Sequence, residues 1–120
     1  MLFRSTWEDA EDYDGSIIGD GSAWKEGLLK PIYRWIPSIA VSNLIFYKGS
    51  QFPELKNNIV LTSLKAKKLI KLDFIDGKAS NEAVLIKGMG RFRDVEQNEM
   101  GQIFVIIDDE ESGIWELKYN

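Results

Sequence analysis

Arg91 and Arg93 stand two residues apart in the stretch GRFRDVEQNEMGQIFVIIDD, which runs from Gly90 to Asp109. In a β-strand that spacing sends both guanidinium groups out of one face of the sheet. Like charges side by side repel, so the pair becomes useful when something anionic sits over it. The bland reading is a solvated face on which the pair bridges to Asp94 or Glu96, because exposed ion pairs are common and weak. Lys65 stands in a lysine-rich turn, SLKAKK, and on spacing alone is a solvated lysine like Lys67 and Lys68.

Other chemistry is limited by what the chain lacks. It has no cysteine and no histidine. Disulfide and thiol chemistry are excluded, and the commonest general base and metal ligand are both absent. DYDG, Asp12 to Gly15, half-resembles a calcium loop, but Ala10 falls where the loop should open and Gly21 where its closing Glu should stand. A plain turn is the expectation there. The acidic run Asp108-Asp109-Glu110-Glu111 reads as a solvated loop. Trp7, Trp24 and Trp115 read as packing residues.

The chain has 120 residues, one domain's worth, with 44% apolar and 28% charged residues, ordinary for a globular protein. A net charge of -4 and a pI near 4.9 leave no basic stripe to displace counterions, which argues against nucleic acid as a partner. No apolar run approaches the roughly 20 residues of a membrane span. Met1-Leu2-Phe3-Arg4 is followed by acidic residues and does not read as a secretory signal.

The elements that must position the arginines fall into two regions. Residues 1–30 are rich in Asp, Glu, Gly and Ser with little periodicity, and read as an extended arm. From residue 31 to 120, short apolar runs alternate with turn signals. Strands are expected near Ser42–Tyr47, Asn58–Ser63, Lys68–Ile75, Glu82–Lys87, Arg91–Gln97, Gln102–Ile107 and Gly113–Tyr119. Lys48-Gly49, Asn57-Asn58, Asp76-Gly77, Gly88, Met100-Gly101 and Ser112-Gly113 stand between them, as turns require. Ile70, Leu72 and Phe74 alternate with Lys71 and Asp73. Ile103 to Ile107 is apolar throughout, as in a strand covered on both faces. No stretch reads as a helix.

Short strands at this spacing indicate a sandwich, a barrel or a propeller. An internal echo favours the propeller. NNIVLTSLKAKKLIKLDF from Asn57 and GQIFVIIDDEESGIWELKY from Gly101 share a plan of turn, apolar strand, polar connection and alternating strand. They begin about 44 residues apart, and a four-stranded blade takes about 40–45. The fold expected is all-β, of β-propeller type, with about two four-stranded antiparallel blades behind the arm.

YDGSIIG (Tyr13 to Gly19), PIYRWIPSIAVSNLIFYKGSQFPEL (Pro31 to Leu55), LTSLKAKKLIKLDF (Leu61 to Phe74) and GRFRDVEQNEMGQIFVIIDD together resemble the C-terminal part of the glucose/sorbosone dehydrogenase family. Those are soluble sugar dehydrogenases dependent on pyrroloquinoline quinone (PQQ), folded as six-bladed propellers. The resemblance implies that Arg91 and Arg93 of the RxRD motif and Lys65 of the SLK motif hold PQQ, a flat quinone with three carboxylates. A guanidinium matches a carboxylate in bidentate fashion, and a lysine adds a point charge. It also implies that Trp35, in the W-x-P-S motif, packs beside the sugar; Trp35 reads equally as a core tryptophan between blades. The family is typically periplasmic or secreted.

The departures from the family pattern are specific. The family's base is a histidine of an early blade, and its calcium ligands also lie upstream. SIAVSN stands where SIAPSG is usual, so Val41 and Asn43 differ, and Phe92 replaces a smaller aliphatic. The resemblance therefore implies the cofactor-holding end of an aldose dehydrogenase without its reaction centre, as in a truncated reading frame, inactive alone even with PQQ and calcium. The rival reading is a non-catalytic β-repeat module that binds a partner or associates with itself through open blade edges.

Overall fold

The computed structural model describes residues 27–119. Most of the expected arm, the DYDG turn, Trp7 and Trp24 lie outside the described residues. Every strand falls in one compact unit, Ile32–Asn120.

Among the described residues seven strands form, one for each that the sequence predicts: β1 Val41–Phe46, β2 Ile59–Ser63, β3 Lys68–Ile75, β4 Lys78–Lys87, β5 Arg91–Gln97, β6 Ile103–Asp108 and β7 Ser112–Glu116. A single 3-10 turn, Pro53–Leu55, lies between β1 and β2, and no α-helix occurs among the described residues. The strands make two antiparallel meanders, β1-β2-β3-β4 and β5-β6-β7. The second sheet thus has three strands among the described residues where about four were expected. The echoed segments are structurally equivalent: they are the hairpins β2–β3 and β6–β7, the second and third strands of each sheet.

Local chemistry accounts for the turns. Asp76 (φ 53°) and Gly77 (φ 75°) both take the left-handed conformation that a two-residue hairpin turn needs, and Ile75 pairs with Lys78 across them. So tight a turn starts β4 at Lys78, well before the expected Glu82. The delay in the sequence signal comes from Asn81, whose φ of 56° marks a turn-like residue inside a strand. The β3–β4 register shifts beside it, and its amide donates to Asp73 at 3.1 Å. It is a bulge rather than a boundary.

The first sheet is apolar on both faces. Ile45, Tyr47, Val60 and Leu69 point to the core shared with Phe92, Val95, Ile103, Val105 and Ile107 of the second sheet. Ile59, Leu61, Ile70 and Leu72 form a separate cluster on the other face, covered by Tyr33, Trp35 and Ile39. All five residues of β2 are therefore buried. β6 is covered on one face only: Ile103, Val105 and Ile107 are buried while Ile106 is exposed. The continuous apolar run overstated its coverage among the described residues.

The seam between the sheets brings β1 beside β5, running in the same direction. At its start, the Ser42 hydroxyl donates to the Phe92 carbonyl at 2.8 Å, and the Asn43 amide donates to the Val95 carbonyl at 3.1 Å and to the Asp94 carboxylate. At its far end, the Gln97 side chain donates to the Phe46 carbonyl and accepts from the Lys48 amide, each at 2.8 Å. The buried Tyr47 hydroxyl donates to the Gly101 carbonyl at 2.6 Å. A Cβ on Gly49 would come within 2.5 Å of both the Gly101 Cα and the Tyr47 hydroxyl oxygen, so only glycine allows this approach. Side chains, not a backbone ladder, join the two sheets among the described residues, and the buried Tyr47 hydroxyl finds its acceptor there.

Candidate functional site

Arg91 and Arg93 leave the same face of β5, as their spacing requires. Phe92, between them, is fully buried and fastens the strand to the shared core. The arginine side chains are 50% and 47% exposed, so a ligand in solvent can reach both. Their protein partner is neither Asp94 nor Glu96. Arg91 donates through Nη2 and Arg93 through Nε to one atom, Oδ2 of Asp108, at 3.0 and 2.9 Å. The other oxygen of that carboxylate accepts from the Ser112 hydroxyl at 2.7 Å. The Ser112 hydrogen bond first, then the Arg93 and Arg91 guanidinium groups, hold the Asp108 carboxyl below the usual carboxylate range.

Asp108 corrects the reading of the acidic run as a solvated loop. Asp109, Glu110 and Glu111 are exposed, but Asp108 is the half-buried last residue of β6. Alternation along β6 puts it opposite the core face, and a bulge in β5 brings the arginines to it. Gln97 pairs with Ile103 and Asp94 with Ile106, and the register then slips so that Phe92 pairs with Ile107 and Arg91 with Asp108. Without the slip Arg93 would oppose Ile107, on the core face, and a guanidinium would be buried there while Phe92 turned outward. With it, Phe92 enters the core and both arginines lie on the Asp108 face. Asp94 serves elsewhere: its Oδ1 accepts from the Val95 amide at 2.8 Å and from Asn43 across the seam.

Lys65 lies in the turn after β2. Its amide donates to the Ile39 carbonyl at 3.1 Å and its side chain is exposed. That turn stands at the end of the seam where β5 begins, because Ser42 touches both the Phe92 carbonyl and the Thr62 hydroxyl (2.7 Å). The Lys65 turn and the start of β5 therefore lie at the same end of the seam. Trp35 stands on the outer face of the first sheet, packed with Ile59, Leu61, Ile70 and Leu72. Its indole N–H donates to Glu82 Oε1 at 3.0 Å, as does the Tyr33 hydroxyl, and the two rings meet edge to face at 4.9 Å. The Glu82 hydrogen bond raises the Tyr33 pKa. No group of three or more acidic side chains among the described residues could hold a metal ion.

Sequence reasoning missed Asp108 and Ser112. The signal available was faint: a strand of five apolar residues that ends in an acid facing a paired-arginine strand across a short turn. Only the register turns that into a contact.

Adjoining antiparallel meanders whose first strands run side by side are blades of a β-propeller. The Glucose / Sorbosone dehydrogenase family model matches residues 6–116, and the chain belongs to that family. It is 31% identical over 84 residues to the aldose sugar dehydrogenase YliI of Escherichia coli (strain K12), a match covering 69% of this chain and 23% of that protein. A solved structure described as glucose dehydrogenase is similar with a TM-score of 0.71 at 25% identity, covering 79% of this chain and 30% of its own. A second glucose dehydrogenase crystal structure gives the same TM-score and identity over 78% of this chain and 28% of its own. The chain thus spans 23% of the length of the curated relative that it matches.

Proposed function

We propose that these blades hold the PQQ cofactor of an aldose sugar dehydrogenase, with Lys65, Arg91 and Arg93 taking its carboxylates. The observation that carries the reading is the exposed arginine pair, with guanidinium N–H groups that have no partner among the described residues beyond Asp108. The donor set fits an anionic ligand: two exposed arginines held by one carboxylate, with forks that grip carboxylates at two points, and Lys65 in a turn at the same end of the seam. Bound there, the quinone would accept hydride from C1 of the sugar, which leaves as the lactone. The chain's own residues bind and orient. Lys65 and the arginines fix the cofactor's anionic edge, and Trp35 offers an aromatic face for a sugar ring, with Glu82 holding its indole N–H. No histidine is present to act as the base that the family resemblance implies.

Titration of PQQ into the full chain and into Arg93→Ala tests this. Binding is expected in the unmodified chain, and a loss of about tenfold or more in the variant, the size of a lost charge-assisted hydrogen bond. Equal affinities would remove the arginines from the site. An unmodified chain that takes up no PQQ would remove the cofactor reading altogether.

A further inference from the structure

We propose that Asp108 is a positioning residue, which clamps Arg91 and Arg93 through one carboxylate oxygen and aims their remaining N–H groups at an anionic ligand. The identity of that ligand rests on the cofactor reading above; the clamp itself rests on the hydrogen bonds.

Two guanidinium groups on one strand face repel and, left alone, splay apart on flexible stems. Asp108 Oδ2 meets both, at 3.0 Å from Arg91 Nη2 and 2.9 Å from Arg93 Nε. Its Oδ1 is held by Ser112 Oγ at 2.7 Å, so neither oxygen is free to swing. The backbone under the cluster is as constrained as the side chains: Phe92 is fully buried, and β6 ends on Asp108 with Ser112 opposite it at the start of β7. Because Arg93 engages Asp108 through Nε, its Nη1/Nη2 end faces no protein partner among the described residues. That end is one of the edges that grip a carboxylate in two-point fashion. One carboxylate for two arginines also leaves the trio positive. Asp108 therefore orders the cations without cancelling them.

A carboxylate that only neutralises predicts the opposite outcome: its removal would strengthen the pull on an anion. The experiment compares PQQ affinity of the full chain with that of Asp108→Ala, Asp108→Asn and Ser112→Ala, with melting temperature as a check on folding. Asp108→Ala is expected to bind about tenfold more weakly, the scale of a charge-assisted hydrogen bond. Asp108→Asn keeps an accepting oxygen and is expected to recover most of that loss. Hydrogen exchange at the Arg93 Nε–H should accelerate in Asp108→Ala and stay slow in Asp108→Asn. Unchanged or tighter binding by Asp108→Ala overturns the clamp. If Asp108→Ala does not fold, Ser112→Ala carries the test: about threefold weaker binding supports the clamp and unchanged binding overturns it. If the unmodified chain binds no PQQ, the cofactor reading fails on its own, and the Nε–H exchange decides the clamp, with an unaltered rate counting against it.

Discussion

β1 and β5 can be laid over one another residue by residue. The register of β1 against β2 slips between Val41 and Asn43; that of β5 against β6 slips between Phe92 and Asp94. In each strand the residue after the slip turns its side-chain oxygen onto the next backbone amide, Asn43 to Leu44 and Asp94 to Val95, both at 2.8 Å. The backbone device is therefore repeated, and what differs is its cargo. At the bulge of β1 stands Ser42, a short hydroxyl turned into the seam. At the bulge of β5 stands Arg93, a long cation turned to Asp108 and solvent. Bulges re-aim side chains, and here one recurring bulge presents a seam bond in one blade and a carboxylate-held arginine in the next. A site can thus arise at a structural repeat by changing only the side chains it presents.

The largest test of this comparison is at the position before each bulge. Phe92 is fully buried, whereas Val41, its counterpart, is 42% exposed. Phe92→Ala is expected to destabilise the chain by about 3–5 kcal/mol and Val41→Ala by about 0.5 kcal/mol or less. Urea denaturation of the two variants measures the gap; similar losses would mean that the two strand starts are not differently loaded. Next in size is the seam. Asn43→Ala removes the amide that reaches both Asp94 and Val95, at an expected cost of about 1–2 kcal/mol in the same assay. A variant as stable as the parent would show that the bulges are coupled by backbone packing alone.

The smallest effect sharpens the comparison by pH, since β5 carries a carboxylate clamp and β1 does not. The folded pKa of Asp108 lies below its unfolded value of about 3.9. Its contribution to stability is complete above that value and is lost as pH falls from about 4 through the folded pKa. Asp108→Asn should therefore flatten the fall of melting temperature below about pH 4. Asp73 and Glu54, also held below the usual range, keep part of that slope in place. An acid slope identical in parent and variant would contradict the clamp seen at Asp108.

Local chemistry made much of the fold legible. Lys68–Ile75 and Arg91–Gln97 form with the bounds read from the chain, and Asp76-Gly77 makes the two-residue turn its residue types demand. The echo between Asn57 and Gly101 located equivalent hairpins. Of the three cations that the family motifs picked out, Arg91 and Arg93 meet at Asp108. Less legible was anything that depends on a register. Asn81 looked like a loop residue because a bulge uses the same left-handed backbone as a turn. Asp108 looked like part of a solvated run because its partners are fifteen or more residues back along the chain, on another strand. For Trp35 the family resemblance implied sugar contact while interblade packing stood equally open, and its contacts lie with Ile59 to Leu72 and Glu82 on the outer face of the first sheet.

Which segments become strands, where they turn, and that Arg91 and Arg93 share a face all follow from neighbours in the chain, because side-chain alternation and turn dihedrals are set within a few residues. Which carboxylate those arginines meet does not. A one-residue slip at Arg93 exchanges the face that the two arginines occupy, and nothing local chooses between the two registers. The choice falls to burial: Phe92 joins Ile107 in the core between the sheets only in the slipped register, and that same register turns the cations to the face of Asp108.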